Sequence, residues 1–134
     1  MSGYSNRSLA EKLGLKPGMR AWFCHMPEAI RDSLAQEIAA LDVQTAPSAG
    51  LEAAHLFVTE RATLERQLPQ LRHCLAAAGF LWVSWPKRAS GVASDVTEDV
   101  IRAVALPLDL VDVKVCAVDE TWSGLKLMIR REAR

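Results

Sequence analysis

The chain lacks most of the features that name a chemistry. Its three cysteines, Cys24, Cys74 and Cys116, are far apart, odd in number and without a CxxC pair, which excludes a disulfide framework. Its three histidines, His25, His55 and His73, fall on separate segments with no i, i+4 pair, so no metal site is expected. There is no Gly-x-Ser-x-Gly elbow and no Walker-type phosphate loop. Sixteen basic residues balance sixteen acidic ones, giving no net field to attract nucleic acid or an anionic membrane. No apolar run reaches the ~18–20 residues that span a bilayer. The opening Met1-Ser2-Gly3-Tyr4-Ser5-Asn6-Arg7 lacks the apolar core of a signal peptide. These absences lead us to expect a cytoplasmic protein with no cofactor and neither a nucleic-acid nor a membrane partner.

What remains is an ordinary globular composition. Half of the 134 residues are hydrophobic and 24% are charged, enough for one domain over 1–134 and unlike a disordered chain. Residues 1–7 are expected to be flexible.

The punctuation is regular. Ser8-Leu9-Ala10-Glu11 has capping-box spacing and opens a short helix that Gly14 closes. Residues 19–24 read as a buried strand. Pro27 suits the first position of a helix carrying the stripe Ile30, Leu34, Ile38 and Leu41. A brief strand at 43–45, a loop at 46–50 and a compact strand at 54–58 follow. Residues 60–78 are helical in pattern, with Leu64, Leu68, Leu71 and Leu75 on one side. Pro69 predicts a break near Leu68, and Gly79 an end to that helix. A strand spans 80–85. Asp95-Val96-Thr97-Glu98 has capping-box spacing before a helix with Val96, Val100, Ile101 and Val104 inside. Two strands, 111–118 and 125–130, close the chain.

Alternating strands and helices imply right-handed crossovers and a parallel sheet covered on both faces. The final connection, Asp119-Glu120-Thr121-Trp122-Ser123-Gly124, is too short for a parallel crossover, so the last strand must be antiparallel. Together with the Lys16-Pro17-Gly18 entry to the first strand, this order resembles a methyltransferase-type Rossmann fold. That resemblance implies a three-layer α/β domain, shortened by about one helix–strand–helix unit between Thr45 and Ala54. More narrowly, Leu81-Trp82-Val83-Ser84-Trp85-Pro86-Lys87 and the closing 119–127 block look similar to a family of small bacterial proteins of unassigned function. That resemblance implies a fold and carries no activity with it.

The methyltransferase resemblance also directs attention to the turn after the first strand. Glycines there supply unusual backbone angles and let the main chain approach a ligand. Here the turn reads His25-Met26-Pro27-Glu28: every residue carries a side chain, Pro27 has no N–H, and Glu28 places negative charge at a helix start. Binding of S-adenosylmethionine in the standard pose is therefore not expected.

In open α/β sheets ligands bind beyond the carboxyl ends of the strands. That edge should gather His25, Trp85, Lys87, Arg88, Asp119 and Trp122. Trp85 and Trp122 offer flat apolar faces and Lys87 and Arg88 positive charge, which suits a small anionic or aromatic ligand or an acidic peptide. Asp119 could serve as a general base. Each feature also has a plain structural use: the tryptophans as packing, Lys87-Arg88 as a solvated turn, and the 119–124 block as a hairpin with Gly124 at positive φ. His25 and Cys24 are adjacent in a strand, point to opposite faces and form no dyad. Two readings follow. One is a non-catalytic methyltransferase-like binding or interaction module, with a protein partner or homo-oligomer allowed. The other is a small enzyme binding a nucleotide or S-adenosylmethionine-type molecule at the same edge.

Overall fold

The structure, a computed structural model, describes residues 8–134, so the expectation for residues 1–7 lies outside it. In chain order the elements are α1 (Leu9–Leu13), β1 (Arg20–Cys24), α2 (Glu28–Ser33), α3 (Ala35–Ala39), β2 (Asp42–Val43) and β3 (Leu51–Phe57). Then come α4 (Arg61–Cys74), β4 (Leu75–Pro86), α5 (Glu98–Ala105), β5 (Leu110–Ala117) and β6 (Trp122–Ile129). The six strands form one sheet in the order β2-β1-β3-β4-β6-β5. β1 pairs in parallel with β2 and β3, and β3 with β4, while β6 runs antiparallel to both β4 and β5. This is the mixed sheet expected from the sequence, with the last strand inserted beside β4.

Strand alternation gives the sheet two different faces. On one, Ala54, Leu56, Leu81, Val83, Leu125 and Leu127 pack beneath Leu64, Leu68 and Leu71 of α4 and Ile101 of α5. On the other, Ala21, Ala53, Phe57, Phe80 and Trp82 pack beneath Ala10 and Leu13 of α1 and Ile30 of α2. The α1 capping box forms as expected, and Gly14 at φ 76 closes the helix. The Trp82 indole N–H donates to the Leu13 carbonyl at 2.9 Å and so locks α1 onto the sheet.

Several local expectations are corrected. The helix foreseen after Pro27 is two short ones, α2 and α3, meeting at Leu34, and Pro27 is the cap rather than the first helical residue. α4 runs through Pro69 without a break; buried Leu64, Leu68 and Leu71 hold both halves against the sheet, outweighing one lost backbone hydrogen bond. That helix ends at Cys74, and Gly79 lies inside β4. A Cβ at Gly79 would stand 2.6 Å from the Leu51 carbonyl, so the glycine serves close strand approach at a register shift. The cap of α5 is Thr97, whose hydroxyl accepts from the Val100 N–H. Asp95 instead caps α4, accepting the Arg61 N–H at 2.7 Å. β6 begins at Trp122, so Gly124 is a strand residue without positive φ. An added Cβ there would meet Ser84 and Trp82 at 3.1 Å.

Candidate functional site

The carboxyl-terminal edge of the sheet is formed by the exits of β1, β3 and β4 and the β5–β6 hairpin. β4 ends at Pro86, and Arg88–Ser90 makes a single 3₁₀ turn closed by Gly91 at φ 79. The chain then crosses to the cap of α5. Between this crossing and the end of β4 lies a cavity of about 540 Å³, lined by Trp85, Pro86, Arg88, Val92, Thr97 and Glu98, among others. Trp85 and Val92 give it apolar surface, and Trp85 packs at the margin of the α4–α5 core. Its charges are unequal. Glu98 is paired with Arg102, which also bonds Asp99 at 3.2 Å and Asp112 at 3.0 Å. These hydrogen bonds, to Asp112 and then Glu98, push the Arg102 pKa further up. Arg88 takes part in no ion pair among the described residues. The cavity therefore joins a neutralised carboxylate, a free guanidinium and an indole, an arrangement that favours an anion with an aromatic part.

The other residues named from the sequence fall elsewhere on this edge. Trp122 stands opposite Pro86 in the β4–β6 ladder, and Trp85 opposite Ser123, so the two indoles leave opposite faces of the sheet. Trp122 meets Phe57 edge-on at 5.3 Å and packs in the α1–α2 core. Lys87 is committed to the hairpin: its N–H donates to the Thr121 carbonyl at 2.7 Å and its ammonium to the Asp119 carbonyl at 2.8 Å. The Asp119 carboxylate accepts the N–H groups of Thr121 at 2.8 Å and Trp122 at 2.7 Å, which is the work of a turn residue. His25 is exposed and left-handed, at φ 57. The structure thus brings Trp85 and Arg88 together and leaves Trp122, Lys87, Asp119 and His25 outside their cavity.

The turn after β1 is filled. Met26 is buried in the α1–α2 core, and Pro27 caps α2 without a side-chain hydrogen bond. The thiols of Cys24 and Cys116 are raised by burial, with Lys114 and Lys12 offsetting part of the effect at Cys116, so neither favours a thiolate. Among the described residues, no group of histidine, cysteine and carboxylate side chains could hold a metal ion, and no helix is long and apolar enough to cross a membrane.

No family model and no curated protein matches the chain. Solved structures do. A S-adenosylmethionine-dependent methyltransferase from Aquifex aeolicus aligns with TM-score 0.61 at 11% identity, over 90% of this chain and 87% of that one. A TehB-like methyltransferase from Corynebacterium glutamicum aligns with TM-score 0.56 at 9% identity, over 96% and 90%. Magnesium protoporphyrin IX methyltransferase from Synechocystis, solved with bound S-adenosylmethionine, gives TM-score 0.58 at 10% identity, over 91% and 74%. The fold is the methyltransferase-type Rossmann fold. At such identities the likeness extends to the fold alone.

One polar pair escaped the sequence reading. His55 Nε2 lies 2.6 Å from Ser84 Oγ, and the imidazole stacks on Phe57 with ring centroids 4.2 Å apart. The spacing is that of a nucleophile and its base, but exposures of 2% and 0% close it to a substrate. Burial pushes the His55 pKa down to about 3, so the imidazole is neutral. The signal was present: His55 and Ser84 each interrupt an apolar strand, and a buried polar side chain needs a partner.

Proposed function

We propose that this protein is a non-catalytic methyltransferase-like module that binds an anionic, partly aromatic molecule, or an acidic segment of a protein partner, beside Trp85 and Arg88. The observation that carries this reading is the cavity in which an uncompensated Arg88 stands next to an indole while Glu98 is neutralised by Arg102. The filled turn at Met26 and Pro27 supports a role without methyl transfer, since no backbone N–H at Pro27 and no open glycine turn receives a cofactor there. The narrower similarity to small bacterial proteins of unassigned function, and a cytoplasmic location, belong to the same reading.

The second reading is a small enzyme that binds a nucleotide or S-adenosylmethionine-type molecule at this edge, favoured by the neighbours of known structure, one of which holds S-adenosylmethionine. A thermal-shift panel of nucleotides, acyl-CoA compounds and S-adenosylmethionine separates the two. At ~100 times its dissociation constant a true ligand stabilises by about 2.7 kcal/mol. The module reading expects a nucleotide or acyl-CoA to stabilise without being turned over, and Arg88→Ala with Trp85→Leu to remove the effect. Stabilisation by S-adenosylmethionine with methyl transfer from it would overturn that reading, and so would a ligand whose effect survives both substitutions.

A further inference from the structure

At the opposite, amino-terminal edge of the sheet, the α1–α2 face carries a second cavity of about 350 Å³. It opens between the end of α1, the starts of β3 and β4 and the end of β6. Its walls are apolar, with Met19, Ala76, Phe80 and Met128, and its charged lining is Lys16, Lys126 and Glu52. The Glu52 carboxylate already accepts the Arg20 N–H at 2.9 Å.

The cations there are unusually placed. Lys126 holds its ammonium 4.6 Å from the centre of the Phe80 ring. Directly across the β5–β6 ladder stands Lys114, a like-charge pair that costs stability. Lys114 in turn reaches the Lys12 carbonyl at 3.4 Å. No ion pair among the described residues involves Lys16, Lys114 or Lys126. Burial, and then Lys114, hold the Lys126 pKa below the usual lysine range. An anion beside the Lys126 ammonium would offset both the repulsion from Lys114 and the shift.

We propose that this edge is a binding site for a small organic anion, a phosphate or carboxylate head on a ring-sized apolar body. The head lies between Lys16 and Lys126. The body rests against Met19 and Met128, whose thioethers adapt to an irregular apolar shape. The volume is near the lower end of ligand pockets, which limits the body to about one ring. This site is independent of the cavity at Trp85 and Arg88.

NMR titration of the full chain with phenyl phosphate tests the proposal, with inorganic phosphate and benzyl alcohol as the two halves of the probe. Phenyl phosphate should bind with Kd below about 1 mM, shifting the amides of Gly14, Gly79, Phe80 and Lys126 and raising the Lys126 side-chain pKa. Each half-probe should bind about tenfold more weakly. Lys126→Gln should weaken phenyl phosphate about tenfold and exposed Lys16→Gln severalfold, while Arg31→Gln on α2 leaves it unchanged. Absence of shifts at ~10 mM phenyl phosphate, equal binding of inorganic phosphate, or indifference to both lysine substitutions would overturn the assignment.

Discussion

The two faces of the sheet solve the same packing problem with different chemistry. The α4–α5 face is nearly all aliphatic, with Leu64, Leu68, Leu71, Leu81, Val83, Ile101, Leu125 and Leu127 in one cluster. The α1–α2 face is aromatic and partly polar, with Phe57, Phe80 and Trp82 in its core and the His55–Ser84 pair among them. Aliphatic contacts are non-directional and tolerate swaps of similar volume. Aromatic and polar contacts fix particular atoms: the indole N–H of Trp82 on Leu13, the imidazole of His55 on Ser84. The first face supplies bulk stability, and the second sets the position of α1 and buries a neutral imidazole.

Substitutions of matched type sharpen that contrast. Trp82→Ala removes a buried ring and the tie to α1, and should cost about 4 kcal/mol in denaturant unfolding. Leu68→Ala should cost about 3 kcal/mol, and Leu68→Met less than ~1.5. If Trp82→Phe proved as mild as Leu68→Met, the directional character assigned to the α1–α2 face would be wrong.

The next effect is confined to that face. Buried His55 has its folded pKa lowered from 6.5 to about 3. Between those values the unfolded chain binds a proton that the folded chain refuses, so stability is lost as pH falls. The loss from this residue should reach about 2 kcal/mol near pH ~5, read as a falling midpoint in urea. A Leu substitution at His55 should flatten that dependence.

Smaller effects lie at element ends. Asp95→Ala frees the Arg61 N–H that it caps and should cost about 1 kcal/mol, with no change in the contacts of α5. His25→Gly should be near neutral or stabilising by about 0.5 kcal/mol, because glycine relieves the left-handed strain at φ 57 while adding unfolded-state entropy. A clear loss on His25→Gly would mean that its side chain makes an energetic contribution of its own.

Much of the fold was legible in the residues. Strand–helix alternation and the short final connection were enough for the mixed sheet, because a parallel crossover cannot be made from so few residues. The misreadings cluster where tertiary contact overrides a local signal. Pro69 stays helical because three leucines clamp α4, and Gly79 is glycine because a carbonyl passes close to it. Asp95 looked like the cap of α5 and serves α4 instead, a contact 34 residues distant that spacing does not encode. At the site, topology located the edge. It did not separate Trp85 from Trp122, which needs the register of β6 against β4, a pairing between segments distant in sequence. The Trp85–Arg88 cavity depends on a crossing loop whose path leaves no periodic trace in sequence.

The central claim is a methyltransferase-type fold in which Met26 fills the turn after β1 and Pro27 caps α2, leaving no room there for S-adenosylmethionine. Isothermal calorimetry with S-adenosylmethionine at ~100 μM addresses it most directly, and should give no heat beyond dilution; a dissociation constant in the low micromolar range, about −8 kcal/mol, would contradict it.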